Sequence, residues 1–237
     1  TPIVNKPAEL WPLVKALAPD GLGKSRVDFM TRYGLGPAGL DELHLRLRSQ
    51  IMVRRLKENV LKQLPRKRRQ VVLLDVANAE GLLRNEQQVI SLQQAALERT
   101  RQEILGLPHH QQVMRLRQCR GIAMTEIARV RHETALSKLP AAIEHIHDIL
   151  ANCDKACIFA WHHDVTDALS AEFNRVAVTF DGRTDLPARQ AAIDAFQERR
   201  GVRLFLGGIR AAGLGITLTA ASVVIFVELD WTPASMM

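Results

Sequence analysis

A glycine-rich stretch near the start of the chain contains residues that could bind phosphate. Residues 21–25, GLGKS, match the end of a phosphate-binding loop. Such a loop needs a buried strand before it and a helix after it, so that backbone amides face the phosphates. Residues 10–17 instead have a helical pattern, and Ala18 stands where the full motif has glycine. The apolar run 223–227 with Glu228 looks like a Walker B strand, the acid-bearing strand of ATPases that contain such a loop. We nevertheless favour an ordinary loop at 21–25 over a self-contained ATPase.

Four potential zinc ligands lie close together in the second half of the chain. They are Cys153, Cys157, His162 and His163, and sulfur and imidazole nitrogen are the usual ligands of structural zinc. Cys157 lies within an apolar run that has the length of a strand, where adjacent side chains point to opposite faces of the sheet. We therefore expect a buried free cysteine and two loop histidines, and no zinc site. No spacing typical of a Ser-His-Asp triad or of paired catalytic carboxylates stands out, so the sequence predicts no catalytic residue in this chain.

A third group of residues is suited to contact with phosphate. Asp181, Gly182, Arg183 and Thr184 stand where a predicted strand ends and a helix begins, and Arg189 follows in that helix. Backbone amides, the Thr184 hydroxyl and two guanidinium groups can converge on a phosphate at such a position. A glycine turn followed by a helix cap explains the same residues equally well.

Small residues dominate the run 209–218, IRAAGLGITL, which follows the next predicted strand. Gly213 and Gly215 in this run allow the backbone to approach a ligand closely. Taken alone, small residues of this kind more often serve tight packing. Their specificity comes from the order and combination of these motifs along the chain.

Alternating helices and strands after residue 137 must position these groups. Apolar residues at 143, 146, 149 and 150 share one face of a helix, and strands are predicted over 156–161, 176–180, 202–206 and 223–227. Helices are predicted from a cap at Asp164 to about residue 173, and over 187–197, where Asp185 and Pro187 are start signals. Strands that alternate with helices indicate an α/β lobe with a parallel sheet covered on both faces.

The first half of the chain predicts helices and one strongly basic segment. Between residues 46 and 69, ten lysines and arginines face a single acid, Glu58. Such a run is more often a solvated surface than a phosphate-binding one. A short strand is predicted over residues 70–76, and two polar helices over 85–105 and 112–131 form an all-helical insertion.

The overall composition is that of a globular protein with an affinity for polyanions. The 237 residues are 47% hydrophobic and 24% charged, which excludes a disordered or membrane-embedded chain. A formal charge of +7 makes nucleic acid a plausible partner. Three cysteines are an odd, sparse set, typical of reduced thiols in a cytosolic protein. The chain starts at Thr1, and we expect it to begin inside a longer protein.

In their order, these segments resemble the Swi/Snf-related, superfamily-two ATP-dependent DNA translocases. Residues 1–11 are similar to the tail of motif III, and RRLK at 54–57 with LPRK at 64–67 to the family's RRLK…LP.K segment. IFAWHH at 158–163 resembles motif IV, FDGRT at 180–184 with Arg189 the DGST…R element, and GLG at 213–215 motif V. ELDWTP at 228–233 resembles the WNP segment that leads into motif VI. The resemblance covers nearly the whole chain and is strongest to the annealing-helicase-like subgroup.

The resemblance implies a fold, ligands and residue roles. The fold would be a RecA-like helicase C-terminal lobe, with an N-terminal helical segment and a helical insertion. The partners would be double-stranded DNA and the first motor lobe of the same protein, which would hold most of the ATP and magnesium; no membrane is implied. Gly213 and Gly215 would border the nucleotide, whereas the DNA backbone would be gripped by Arg183, Thr184, Arg189 and Arg210.

The same resemblance implies boundaries and missing parts. Residues 1–76 would end the first lobe and form a basic linking segment, 77–136 the insertion, and 137–237 the second lobe up to motif VI. The family's phosphate-binding loop, DExH-type acids and motif VI arginines would lie outside the chain, which alone would have negligible ATPase activity. Ala212 and Thr217 replace the glycine and asparagine common in motif V, so nucleotide contacts there would differ in detail. Such a motor would be cytoplasmic in a bacterium or phage host, which we favour, or nuclear in a eukaryote.

Overall fold

The structure, a computed structural model, describes residues 6–19, 21–34, 39–63 and 65–230. These residues fall into two compact units, one that ends at Val71 and one that runs from Val72 to Asp230. The parts of the motif III and WNP resemblances at residues 1–5 and 231–233 lie outside the described residues. None of the described helices is long and apolar enough to cross a membrane.

Short helices form the first unit. A 3-10 helix over Pro7–Leu10 leads into α1, Trp11–Leu17, which confirms the helix predicted there; α2 spans Arg26–Tyr33, α3 Leu40–Gln50 and α4 Lys57–Val60. Their apolar faces bury one small core around the aromatic pair Phe29 and Tyr33, whose ring centroids are 5.1 Å apart. Burial of these rings supplies the packing that such short helices lack by themselves.

The glycine-rich stretch at 21–25 joins two helices of this unit. It follows α1 and precedes α2, so it has a helix where a phosphate-binding loop has a strand. Ser25 caps α2, because its hydroxyl accepts a hydrogen bond from the Asp28 backbone N–H at 3.2 Å. The Gly21 carbonyl accepts one from Arg46 at 2.6 Å. The stretch therefore has structural partners of its own, as an ordinary loop does.

The strand predicted over residues 70–76 is wrong. These residues form neither helix nor strand, and Val71 and Leu73 are 87% and 91% exposed. Leu74 packs against the core of the second unit. A short apolar run becomes a strand when a neighbouring strand pairs with its backbone, and the four-stranded sheet of the second unit does not include this one.

Two long helices open the second unit. α5 spans Ala79–Glu103 and packs along α6, His109–Asn152. The helices predicted over 85–105 and 112–131 are thereby confirmed, but α6 also absorbs the helix predicted near 143–150. Pro140 lies inside α6 and removes one backbone hydrogen bond. Burial of Ala142, Ile146 and Leu150 beyond it offsets that loss. The predicted boundary between residues 136 and 137 falls within this helix, and the domain limits stay a prediction.

A parallel sheet forms the centre of the second unit. Its strands are β1, Ala156–Ala160; β2, Ala177–Phe180; β3, Leu204–Gly208; and β4, Val223–Phe226, in the order β2-β3-β1-β4. Every pairing is parallel. The connecting helices are α7, His163–Glu172; α8, Leu186–Glu198; and the short α9, Ile209–Ala212. This confirms the predicted α/β fold with its parallel sheet.

Helices cover both faces of the sheet. Ile158 packs on the face that α6 and α7 cover, whereas its neighbour Cys157 packs on the opposite face with Phe196 of α8. This alternation is the two-residue period of a strand, and burial on both faces explains why the strand sequences are continuously apolar. The sheet thus provides a rigid base for the loops that follow its strands.

α7 starts two residues earlier than predicted. The expected cap, Asp164, lies in the first turn of the helix, and His162 occupies the cap position without a side-chain cap hydrogen bond. The predicted cap is therefore wrong, because the chain turns into the helix immediately after β1. An acid in the first turn still stabilises the helix through its dipole.

Candidate functional site

The carboxyl ends of all four strands meet at one edge of the sheet. Because the strands are parallel, the loops that follow them, near residues 161–163, 181–185, 209–216 and 227–230, lie side by side. In open parallel sheets, ligands bind at this edge. We call it the carboxyl edge.

Glu228 joins the ends of two neighbouring strands at the carboxyl edge. Its carboxylate is 5% exposed and follows β4 by two residues. Oε2 accepts hydrogen bonds from the backbone N–H groups of Trp161 and His162 at 2.8 and 2.9 Å, and Oε1 lies 2.5 Å from His162 Nδ1. These bonds fix the turn after β1. They also give Glu228 a structural role in place of the catalytic one that its likeness to an ATPase strand suggested, since its carboxylate binds the chain itself.

A histidine of α6 packs on this turn. The ring of His132 stacks on that of His162, with centroids 4.4 Å apart and planes 24° apart. His132 Nε2 lies 3.0 Å from Asp164 Oδ2, but in a geometry that does not make a hydrogen bond. The stack therefore holds α6 against the turn by ring contact more than by hydrogen bonding.

One cation of α6 bonds the loop after β4, and a second one, Lys138, interacts electrostatically with Glu228. Arg131 donates a hydrogen bond to the Leu229 carbonyl at 2.6 Å. Burial lowers the pKa of Lys138, although the negative charge of Glu228 acts in the opposite direction. The base of the long helix is thus tied to the carboxyl edge through the loops after β1 and β4.

Asp181 organises the loop after β2. Its side chain is 3% exposed. Oδ1 accepts from the Arg183 backbone N–H at 2.8 Å, and Oδ2 from Arg183 Nε and Nη2 at 3.0 and 2.6 Å. The Thr184 hydroxyl oxygen in turn accepts from the Asp181 N–H at 3.0 Å. The loop is therefore a closed set of hydrogen bonds around one buried carboxylate.

Arg183 also binds a second carboxylate, on α7. Its Nη1 and Nη2 donate to the two oxygens of Asp167 at 2.9 and 2.5 Å, a two-pronged pair. Hydrogen bonding from Arg183 lowers the pKa of Asp167. Burial by itself raises the pKa of Asp181, but the hydrogen bonds from Arg183 outweigh burial and lower it. The same contacts raise the pKa of the guanidinium.

Arg189 closes the loop from the first turns of α8. Its Nε donates to the Thr184 carbonyl at 2.8 Å and its Nη2 to the Asp181 carbonyl at 3.4 Å. The guanidinium carbon lies 5.3 Å from the centroid of the Phe180 ring, within the range of a cation–π contact. Asp185 caps α8 by accepting from the Ala188 N–H at 2.9 Å, which confirms the predicted start signal.

The two glycines predicted to border a nucleotide lie in an exposed turn after α9. A Cβ at Gly213 would lie 2.4 Å from the Ile209 carbonyl oxygen, so no other residue fits without a backbone shift. Gly215 has φ of +80°, which disfavours any side chain, and nothing lies within 4 Å of the Cβ position. The backbone of this turn is open to close approach.

Arg210 is exposed and lies at the start of α9. Its guanidinium carbon is 5.7 Å from the centroid of the ring of Trp161, whose backbone N–H donates a hydrogen bond to Glu228. The ring steers the cation without neutralising it. Arg210 is thus an exposed positive group beside an aromatic ring.

All six residues predicted for the site lie at the carboxyl edge. Arg183, Thr184 and Arg189 form one loop, and Gly213, Gly215 and Arg210 form the next one; a Cβ at Gly208 would lie 3.3 Å from that of Asp181. The sequence did not indicate the roles of the residues that hold these loops, namely Asp167, Glu228, His132 and Arg131. An acid directly after a buried strand, as at Glu228, was the available signal.

The four potential zinc ligands have other surroundings, and Cys153 packs against the core that includes Leu150. Cys157 is buried beside Phe196 and Phe205, and burial raises its pKa to about 11. His162 bonds Glu228, and His163 Nδ1 lies 3.4 Å from Asp181 Oδ2. A buried free cysteine is confirmed. Among the described residues, no group of three potential ligands could hold a metal ion.

Two known family models match this chain. Residues 1–125 match the model of the SNF2-related domain, and residues 140–237 match that of the helicase conserved C-terminal domain. The chain belongs to the SNF2-related family. The resemblance that the ordered motifs predicted is thereby confirmed.

Relatives of this SNF2-related chain include two kinds of eukaryotic protein. It is 30% identical over 255 residues to "SWI/SNF-related matrix-associated actin-dependent regulator of chromatin subfamily A-like protein 1" of Drosophila melanogaster, covering 100% of the chain and 30% of that protein. It is 30% identical over 254 residues to "DNA annealing helicase and endonuclease ZRANB3" of Homo sapiens, covering 98% of the chain and 22% of that protein. The chain thus spans less than a third of the length of these relatives. They agree with the predicted annealing-helicase-like subgroup.

A solved structure supports the fold of the SNF2-related chain. The helicase domain of Pyrococcus furiosus Hef superposes with a TM-score of 0.51 at 13% identity, covering 86% of this chain and 58% of that one. At this identity the likeness concerns the fold alone. It agrees with the parallel sheet and its flanking helices.

Proposed function

We propose that the chain is the second-lobe part of an ATP-dependent motor that moves along double-stranded DNA. The observation that carries the proposal is the array at the carboxyl edge, where motifs of the SNF2-related family bring arginines and an open glycine turn side by side. Within the protein, residues 1–76 would end the first lobe and link it to the second, 77–136 would form the insertion, and 137–237 the second lobe. Such a motor works where DNA is held, the nucleus in a eukaryote.

The DNA-facing groups in this proposal are those of the loops after β2 and β3. Arg183, Thr184, Arg189 and Arg210 would lie along the sugar-phosphate backbone, which supplies most sequence-independent affinity. The formal charge of +7 favours the approach of a polyanion. Binding would be independent of sequence and would weaken strongly as salt rises, because phosphate neutralisation releases counterions.

The nucleotide-facing groups are Gly213 and Gly215. Their turn is exposed and free of side chains above Gly215, which suits close approach by a phosphate or ribose. ATP with magnesium would be held mainly by the first lobe, and the metal would neutralise charge on the transferred phosphoryl group. The role of this chain would be to close over the nucleotide and to transmit the closure to the DNA-facing loops.

The test is ATP hydrolysis by the full-length protein with and without duplex DNA. We expect duplex DNA to stimulate turnover, and ATP to drive displacement of a third strand from a triplex. Lys24→Ala is the control, because the loop at 21–25 joins two helices and the substitution should leave nucleotide binding unchanged. Loss of nucleotide binding in Lys24→Ala would favour a self-contained ATPase instead, and DNA binding with no hydrolysis would favour a passive binding module.

A further inference from the structure

Arg183 stands where the corresponding motif of the family has serine. The corresponding element of the family reads DGST, whereas residues 181–184 read DGRT. Four of the five guanidinium N–H groups are engaged, two with Asp181 and two with Asp167. Few donors are left for a phosphate.

The charge around Arg183 is also unsuited to binding a phosphate. Its two carboxylate partners both have lowered pKa values, so both are ionised at neutral pH. One guanidinium between two carboxylates gives the group a net negative charge. His163, 3.4 Å from Asp181, adds a positive charge only when it is protonated. A phosphate that approached Arg183 would meet no net attraction.

Arg189, six residues after Arg183, has different surroundings. Its acceptors are the carbonyl oxygens of Thr184 and Asp181, and its guanidinium lies over the Phe180 ring. Within the part of the chain that the structure describes, no carboxylate lies within salt-bridge distance of it. Its positive charge is therefore available to a phosphate, and the exposed Gly182 beside it has open space at its Cβ position.

We infer that Arg183 is a positioning residue, which fastens the loop 181–185 to α7 through Asp167, and that Arg189 supplies the loop's charge contact with DNA phosphate. The inference rests on the proposed function and changes one part of it, since Arg183 would hold the loop in place and would not itself contact the sugar-phosphate backbone. The two-pronged pair sets the angle of the loop, in which Gly182 is exposed and Arg189 is half-buried. Lysine cannot replace Arg183 in this role, because a single ammonium group cannot make the fork.

The test compares matched variants of the two arginines in the full-length protein. The affinity for a labelled duplex DNA of mixed sequence is measured by fluorescence anisotropy between about 50 and 200 mM salt. We expect Arg189→Gln to reduce the slope of log K against log salt by about 0.9, the value of one phosphate contact, and Arg189→Lys to keep the slope. Arg183→Gln and Arg183→Lys should both weaken binding by about two- to thirtyfold, as positioning changes do, with an unchanged slope.

Other outcomes overturn the inference. A slope reduced in Arg183→Gln and restored in Arg183→Lys would show that Arg183 itself contacts phosphate. Unchanged DNA affinity in both Arg183 variants, with a lower unfolding temperature, would show a role in stability alone. Arg183→Lys keeps charge and size, so it provides the comparison should Arg183→Gln fail to fold. If the wild-type protein does not bind duplex DNA, both the proposed function and this inference fail. If the wild-type protein binds duplex DNA but the variants behave otherwise than expected, the inference alone fails.

Discussion

The two edges of the parallel sheet use cations in opposite ways. At the amino edge, Arg203 donates to the carbonyls of Leu150, Cys153 and Asp154 at 2.5, 2.8 and 3.0 Å. These carbonyls end α6 and lead into β1, so Arg203 satisfies backbone acceptors that the helix end leaves free. Lys155 does the same at the end of α8, where the carbonyls of Phe196 and Arg199 accept its hydrogen bonds.

At the carboxyl edge, carboxylates take over this structural work. Glu228 and Asp181 collect the N–H groups of the loops after β1 and β2. Among the described residues, no salt bridge neutralises the charge of Arg189 or Arg210, because their partners are carbonyls and aromatic rings. The number of arginines therefore does not distinguish a binding edge from a structural one, and neither does a carbonyl partner, since Arg189 and Arg203 both have one. What sets Arg189 and Arg210 apart is their place at the loops that follow the carboxyl ends of the strands.

The largest expected loss of stability comes from substitution of Glu228. Glu228→Ala removes the acceptor of two backbone N–H groups and one histidine, all at the carboxyl edge. Hydrogen bonds to a buried charge contribute about 1.5–3 kcal/mol each, so we expect the free energy of unfolding to fall by roughly 3 kcal/mol. Urea unfolding measures this loss.

Glu198→Ala is the matched control, since Glu198 is an exposed acid at the end of α8. It should change the free energy of unfolding by less than about 0.5 kcal/mol. A loss below about 1 kcal/mol in Glu228→Ala would mean that the carboxylate does not hold the turn after β1.

Arg203→Ala tests the amino edge. It leaves three carbonyl groups without their cation, and we expect a loss of about 2 kcal/mol in the free energy of unfolding. Affinity for duplex DNA, measured below the unfolding transition, should not change. The exposed Arg199 provides a control at the same edge, because its side chain can be removed with little effect on stability. Weaker DNA binding in Arg203→Ala would remove the contrast between the edges.

A smaller effect is expected in acid. Because the folded-state pKa values of Asp167 and Asp181 lie below the ordinary value of 3.8, the unfolded chain binds more protons near that pH. Their contribution to stability is present above pH 3.8 and is lost as pH falls through the folded-state values. In Arg183→Gln, the free energy of unfolding should therefore fall less steeply with acid than in the wild type. Parallel pH profiles for the two proteins would contradict the pairing.

Much of the sheet and its helices could be predicted from the sequence. The four strands lie within two residues of their predicted limits, because a strand buried on both faces is a continuous apolar run between helices. The cap at Asp185 was also predictable, since its bond reaches only to Ala188. The strand predicted over 70–76 failed, because an apolar run does not indicate whether another strand will pair with it. The length of α6 was missed because its apolar residues near 143–150 were assigned to a separate helix of the α/β lobe.

The sequence predicted which residues lie at the site, but it did not predict the hydrogen bonds and ion pairs between them. Arg183 and Arg189 share a motif, and no local pattern separates them. The difference comes from Asp167, which is 16 residues before Arg183 and on another helix. Likewise the role of Glu228 depends on backbone groups 66 and 67 residues away. Contacts of this kind follow from the packing of the whole lobe, which a single sequence does not specify locally.

The most direct test of the DNA-facing carboxyl edge is the salt dependence of duplex binding in Arg210→Ala, with Arg203→Ala as its matched control. In the full-length protein, Arg210→Ala should reduce the slope of log K against log salt by about 0.9, and Arg203→Ala should leave the slope unchanged. Both variants lose one arginine beside the same sheet, so net charge does not distinguish them. An unchanged slope in Arg210→Ala, or equal reductions in the two variants, would contradict the assignment of the carboxyl edge to DNA.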